Sequence, residues 1–156
     1  MQILYKAANF TTKKNDLKRI YKTFIRSILD HSAVVWHSGL TQKNRQALER
    51  VQKAAVKVIM GGQYINYKGA LKILNLEDLD KRRENLCLKF AKSCLKTEKV
   101  KGIFPRQESN HRMLKRKNRP FKEKLIKTKR YKRSAVPYMT ELLNKEAEKK
   151  NLIMNN

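Results

Sequence analysis

Apolar residues recur at spacings of three and four along most of this chain, and nowhere do they alternate for long. Leu17, Ile20, Tyr21, Phe24, Ile25, Ile28 and Leu29 make one continuous stripe. Leu48, Val51, Ala54, Ala55, Val58 and Ile59 make a second, and Leu79, Leu86, Cys87, Phe90, Ala91, Cys94 and Leu95 a third. This is the period of helices with one buried face. It predicts an all-α fold, a small helical bundle followed by a basic, partly disordered tail that ends in a short helix. The expected divisions are a lead-in at 1–14, a helical domain at 15–104, a flexible basic linker at 105–135 and a terminal helix at 136–150.

Local signals set the helix ends. Asn15 is a good N-cap residue with Asp16 in the turn after it, so the first helix is expected to start there and to run through Ala33 towards Trp36. The β-branched pair Val34–Val35 weakens that last turn. Ser38–Gly39 then breaks the chain, Thr41 can cap a second helix, and Gly61–Gly62 can end it. NYKGALKILN suits a short third helix with Ala70, Leu71 and Leu74 inward. The fourth is expected from about Glu77 to Lys96, with Asp78 and Asp80 complementing the helix dipole at its start and Lys92 and Lys96 at its end. Pro137 is tolerated in the first turn of a last helix.

The charge is large and uneven. Thirty-eight Lys and Arg face 13 Asp and Glu, a net charge of +25. Residues 106–133 alone hold 13 basic side chains against 2 acidic. Such an excess points to a polyanionic partner, nucleic acid first and an anionic membrane surface second. There is no apolar run of about 18 residues, so no membrane span is expected. MQILYKAANF lacks the parts of a secretory signal, and an intracellular protein, nuclear or cytoplasmic, is expected. Cys87 and Cys94 sit seven residues apart on one helix. They would be separated by roughly 10 Å, too far for a disulfide, and read as reduced core residues.

Signs of catalysis are missing. Glu77, Asp78 and Asp80 are the densest carboxylates, and they sit where a helix begins rather than where two metal ions would be clamped. No Gly-rich loop precedes a helix, and no Ser or Cys stands beside a His in a nucleophile motif. The three histidines, His31, His37 and His111, show no metal-ligand spacing. No cofactor or metal is expected. Lys and Arg remain as the functional signal, since they bind phosphates without reading sequence. Tyr64, Tyr67, Phe121 and Tyr131 lie among them and could stack on bases. Trp36, the single Trp, stands at the corner between the first two helices and reads as a hydrophobic anchor across both rather than as a base-stacking residue.

Four stretches together bear a resemblance. They are DLKRIYKTFIRSILDHSAVVWHSGLT, LERVQKAAVKVIMGG, YKGALKILNLEDLDKRRENLCLKFAKSCLK and, late in the chain, TKRYKRSAVPYMTELLN. In that order they resemble the region after the catalytic palm in reverse transcriptases of non-LTR retrotransposons of the jockey and CR1 kind. The resemblance spans roughly residues 13–145. It implies a thumb-like module that grips an RNA–DNA hybrid or RNA duplex through its backbone, beside the palm of a polymerase, with residues 1–14 as the end of that palm. The family's aromatic-x-Asp-Asp motif occurs nowhere in this chain, so the chain as written is not expected to polymerise DNA.

The residues expected to touch nucleic acid are Lys18, Lys22 and Arg26 on the first helix, and Arg45, Arg50, Lys53 and Lys57 on the second. Lys115, Arg116, Lys117, Arg119, Lys129 and Arg130 in the basic segment complete the set. The rival readings are a basic structural protein of ribosomal or chromatin type and membrane-surface binding by the first helix. Membrane binding is disfavoured, because that helix's apolar face includes Tyr21 and reads as core.

Overall fold

A computed structural model describes residues 1–10, 13–106 and 119–154, with side chains up to Lys150. The fold is all-α. Among the described residues no strand forms, and the one β-bridge pairs Arg106 with Phe121. The helices are α1 (Gln2–Phe10), α2 (Lys14–Ile20), α3 (Ser27–Asp30), α4 (Ala33–Trp36), α5 (Gln42–Met60), α6 (Tyr67–Ile73), α7 (Leu79–Lys96), α8 (Lys129–Lys132) and α9 (Ala135–Met154). No helix among the described residues is long and apolar enough to cross a membrane.

Contacts divide these elements into two compact units. The first holds Met1–Ala33 and Leu40–Glu84, and the second holds Val34–Gly39 with the described chain from Asn85 onward. The single domain expected over 15–104 is therefore divided inside α7. The lead-in is also more than a lead-in, because α1 places a fully buried Leu4 in the core of the first unit.

In the first unit, α2 and α3 are joined by a π-helical segment, Tyr21–Arg26. Its wider i→i+5 turns keep residues spaced by four in line and swing those spaced by three outward. Leu17, Tyr21 and Ile25 are accordingly buried, while Phe24 and Ile28, expected in the stripe, are 54% and 73% exposed. The helix stops at Asp30 instead of reaching Trp36, and Ser32 turns the chain with φ 49°. Thr41 caps α5 by accepting a hydrogen bond from the Asn44 N–H at 3.3 Å, and Gly61 ends it at φ 53°. Asn66 caps α6 through the Gly69 N–H at 2.6 Å.

The inward line of α5 is Gln52, Ala55, Val56, Ile59 and Met60, rotated from the expected stripe because a polar residue leads it. Fully buried Gln52 organises the polar centre of this unit. Its Oε1 accepts from the Tyr21 hydroxyl at 2.5 Å. Its Nε2 donates to the Tyr67 hydroxyl and to the Glu77 carbonyl, both at 2.9 Å. The Tyr67 hydroxyl donates to Glu49, whose other oxygen accepts from the Leu79 N–H at 3.1 Å and so caps α7. Burial pushes the Tyr21 and Tyr67 phenols up. Arg83 is fully buried; desolvation lowers its pKa, and the charges of Asp80, Glu49 and Asp30 oppose that shift.

Burial raises the Glu49 carboxyl above its ordinary value, outweighing the hydrogen bonds from Tyr67 and Leu79. The folded state then holds that proton more tightly than the unfolded state. Ionised Glu49 weakens the fold at neutral pH, and this loss is recovered as pH falls through the folded pKa towards about 4.3. In urea titrations at pH 7 and pH 4.5, the wild type should gain stability on Glu49→Gln at the lower pH. A constant difference would contradict this.

The second unit packs Cys87, Ala91 and Cys94 of α7 against Phe104, Phe121, Met139, Leu142 and Leu143. Both cysteines are buried, and neither is in a disulfide. Leu88 and Leu95 flank this cluster, which turns Phe90, expected inward, out on the opposite flank. Of the linker expected at 105–135, residues 107–118 lie outside the described residues. Phe121 is anchored rather than loose: buried Asn144 accepts from its N–H at 3.0 Å and donates to its carbonyl at 3.1 Å. The terminal helix is longer than expected, Ala135–Met154. Asn144→Leu leaves both Phe121 backbone groups unpaired and should lower the stability of this unit by about 2–3 kcal/mol. Chemical denaturation measures this, and a change near zero would contradict it.

Candidate nucleic-acid interface

Helix α5 separates its charges by face. At 3.6 residues per turn, Lys43, Arg50, Lys53 and Lys57 fall within about a quarter of the circumference. All four are exposed. Opposite them lie Gln52, Ala55, Val56 and Ile59, facing the core. The one carboxylate of α5, Glu49, is on the inner side, committed to Tyr67 and Leu79. The charges on the outer face are therefore all positive over about 21 Å of helix. Lys57 also rests 5.5 Å from the centre of the Tyr64 ring, which orients its ammonium.

Arg45 does not join that face. It points to the inner side and pairs with Asp80 at 2.6 Å, tying α5 to α7. Its spacing from Arg50 puts it almost half a turn away from the exposed cations, which a count of basic residues conceals.

Lys18, Lys22 and Arg26 follow one another at intervals of four, partly buried along the flank of the Leu17–Tyr21–Ile25 line. Desolvation, then Lys18, Arg26 and Arg82, lowers the Lys22 pKa. Arg26 is lowered by desolvation and then by Arg82. Arg82 itself pairs with Asp30 at 2.6 Å. This crowding of like charges makes an added anion favourable there.

In the second unit, Lys129 and Arg130 are exposed on α8, which Thr128 caps through the Tyr131 N–H at 3.2 Å. Arg119 is already engaged, with Glu123 at 2.7 Å and Glu148 at 3.5 Å. Lys115, Arg116 and Lys117 lie outside the described residues.

The aromatic candidates separate as well. Tyr67 belongs to the Gln52 network and Phe121 to the second core. Tyr64 lies under Lys57, while Tyr131 lines a cleft. Trp36 is half-buried, and the fully buried side chain of its corner is His37, edge-on to Tyr138 with ring centres 5.7 Å apart. The corner 34–39 groups with the second unit, where Val34 packs on its core and His37 meets Tyr138.

Asp78 and Asp80 are occupied structurally. Asp78 accepts from the Lys81 N–H at 3.1 Å and Asp80 holds Arg45. Among the described residues no group of three His, Cys, Asp or Glu is placed to hold a metal ion.

No protein-family model, curated protein or solved structure matches this chain.

Proposed function

We propose that this chain is a helical nucleic-acid-binding module that holds a duplex through its phosphates, and that it derives from the thumb region of a non-LTR retrotransposon reverse transcriptase. The observation that carries the binding reading is the outer face of α5, with four exposed cations and no carboxylate. A duplex presents roughly 12 phosphate charges over a length of about 21 Å, ample for four contacts. The Lys18–Lys22–Arg26 line and the exposed cations of α8 add further phosphate-binding capacity. The origin rests on the quoted stretches, above all the Tyr-x-x-Phe-Ile-Arg helix at 21–26 and the Val-Trp-His corner at 35–37. The preferred partner is an RNA–DNA hybrid or RNA, and in a longer polymerase the palm would be the adjoining domain. The chain supplies grip, not chemistry.

Contacts to the backbone carry no base readout. Two RNA–DNA hybrids of equal length and unrelated sequence should therefore bind with equal affinity in a mobility-shift titration. Strong preference for one sequence, or no binding to either, would overturn the reading. Primer extension with the purified chain should yield no product.

A further inference from the structure

The second unit contains a cleft of about 330 Å³ between the stretch after Arg119, α8 and the start of α9. We propose that it takes a single unpaired nucleobase, from a strand whose phosphates lie on the lysines at its rim. This rests on the nucleic-acid reading and adds a single-strand subsite to it.

The volume is at the small end for a ligand site, suited to one flat ring rather than an extended molecule. Its apolar wall comes from Ile126, Val136 and Pro137, and Tyr131 supplies an aromatic face. Tyr131 is only partly buried, and its hydroxyl has no hydrogen-bond partner among the described residues. The ring is thus open to stacking on one base, and its hydroxyl is available to a base edge.

The rim adds charge complementarity. Lys122, Lys124 and Lys132 line the cleft, are exposed, and form no ion pair with a described residue. The two carboxylates of the lining are already matched, Glu123 by Arg119 at 2.7 Å and Glu141 by Lys145 at 2.7 Å. A slot of mixed polarity, with an apolar and aromatic wall and cationic lips, is the chemistry of a base held between its own phosphates.

The test uses the full chain and four probes in fluorescence anisotropy. These are a blunt RNA–DNA hybrid, the same hybrid with a three-nucleotide overhang, that overhang without bases, and the single strand alone. The wild type should bind the overhang about tenfold more tightly than the blunt hybrid, and removal of the bases should take away most of the gain, leaving the part the rim lysines draw from the phosphates. Tyr131→Ala should lose most of the gain and leave blunt binding unchanged, while Tyr131→Trp should keep it. Lys122→Ala with Lys124→Ala, at exposed positions that leave the fold intact, should also reduce it.

Equal binding of blunt and overhanging hybrids, or a gain undiminished by Tyr131→Ala, would overturn the cleft and leave the duplex reading standing. Binding of the single strand and the overhanging hybrid but not of the blunt hybrid, lost in Tyr131→Ala, would uphold the cleft and overturn the duplex reading. Binding of no probe would overturn both.

Discussion

Replacing Lys43, Arg50, Lys53 and Lys57 together by alanine lowers affinity for an RNA–DNA hybrid by on the order of 10³ at 0.1 M salt, if each neutralises one phosphate. The estimate follows from counterion release. Each contact contributes about 0.9 to the slope of log affinity against log salt, so four contribute about 3.6 decades between 0.1 M and 1 M. The fold should survive, because the four side chains are exposed on the side of α5 away from the core. Alanine also has the best helix propensity. Arg45→Gln is the matched control. It removes the same charge from the same helix, yet Arg45 is turned inward onto Asp80. Its loss should leave affinity unchanged. Equal effects per charge at Arg45 and at the outer four would mean that bulk charge, and not the α5 face, does the binding.

Gln52→Leu should destabilise the first unit by about 3 kcal/mol, although leucine is similar in size and apolar. The substitution strands the Tyr21 hydroxyl, removes one donor to the Tyr67 hydroxyl and leaves the Glu77 carbonyl without that partner. Each buried polar group left unpaired costs about 1–3 kcal/mol, and some of these lie near enough to water to recover part of it. Against a total stability of roughly 5–15 kcal/mol the loss is large. Adding Tyr21→Phe should return about 1 kcal/mol, since the stranded hydroxyl is then gone. Urea denaturation of the single and double variants reads both numbers. A Gln52→Leu variant as stable as the wild type would show that the network contributes nothing.

The apolar period disclosed α2, α5, α6 and α7, but not α1, expected only as a lead-in, nor α8, inside the expected linker. Thr41, Gly61 and Asn66 are local signals, and each does at its own position what its chemistry requires. Cys87, Ala91 and Cys94 lie inward as their spacing demands. Buried polar residues were not legible in the same way. Gln52, Arg83, His37 and Asn144 are each committed to burial by distant partners or neighbours, and a stripe of apolar letters passes over them. The π-helical turn at Tyr21–Arg26 likewise hides in a sequence that fits an ordinary helix, and it turns Phe24 and Ile28 outward. Phe121 stands alone among basic residues, so no period reveals it; Asn144, 23 residues later, fixes it.

The interface shows the same limit. The number of cations was plain, but their partition was not. Lys43, Arg50, Lys53 and Lys57 share a face because their separations are near multiples of a helical turn. Arg45 is drawn into an ion pair by the distant Asp80, and Arg119 by its near neighbour Glu123 and by the distant Glu148. The cleft around Tyr131 joins residues from 103 to 141, a gathering that only the folded chain produces.

The most direct test of the central claim is the affinity of the full wild-type chain for a blunt RNA–DNA hybrid, measured across a series of salt concentrations. The account predicts a straight line of log affinity against log salt, with a slope of about −3.6 or steeper. Removing the four α5 cations should flatten it by about that amount. A slope near zero, or one that the four substitutions leave unchanged, would contradict it.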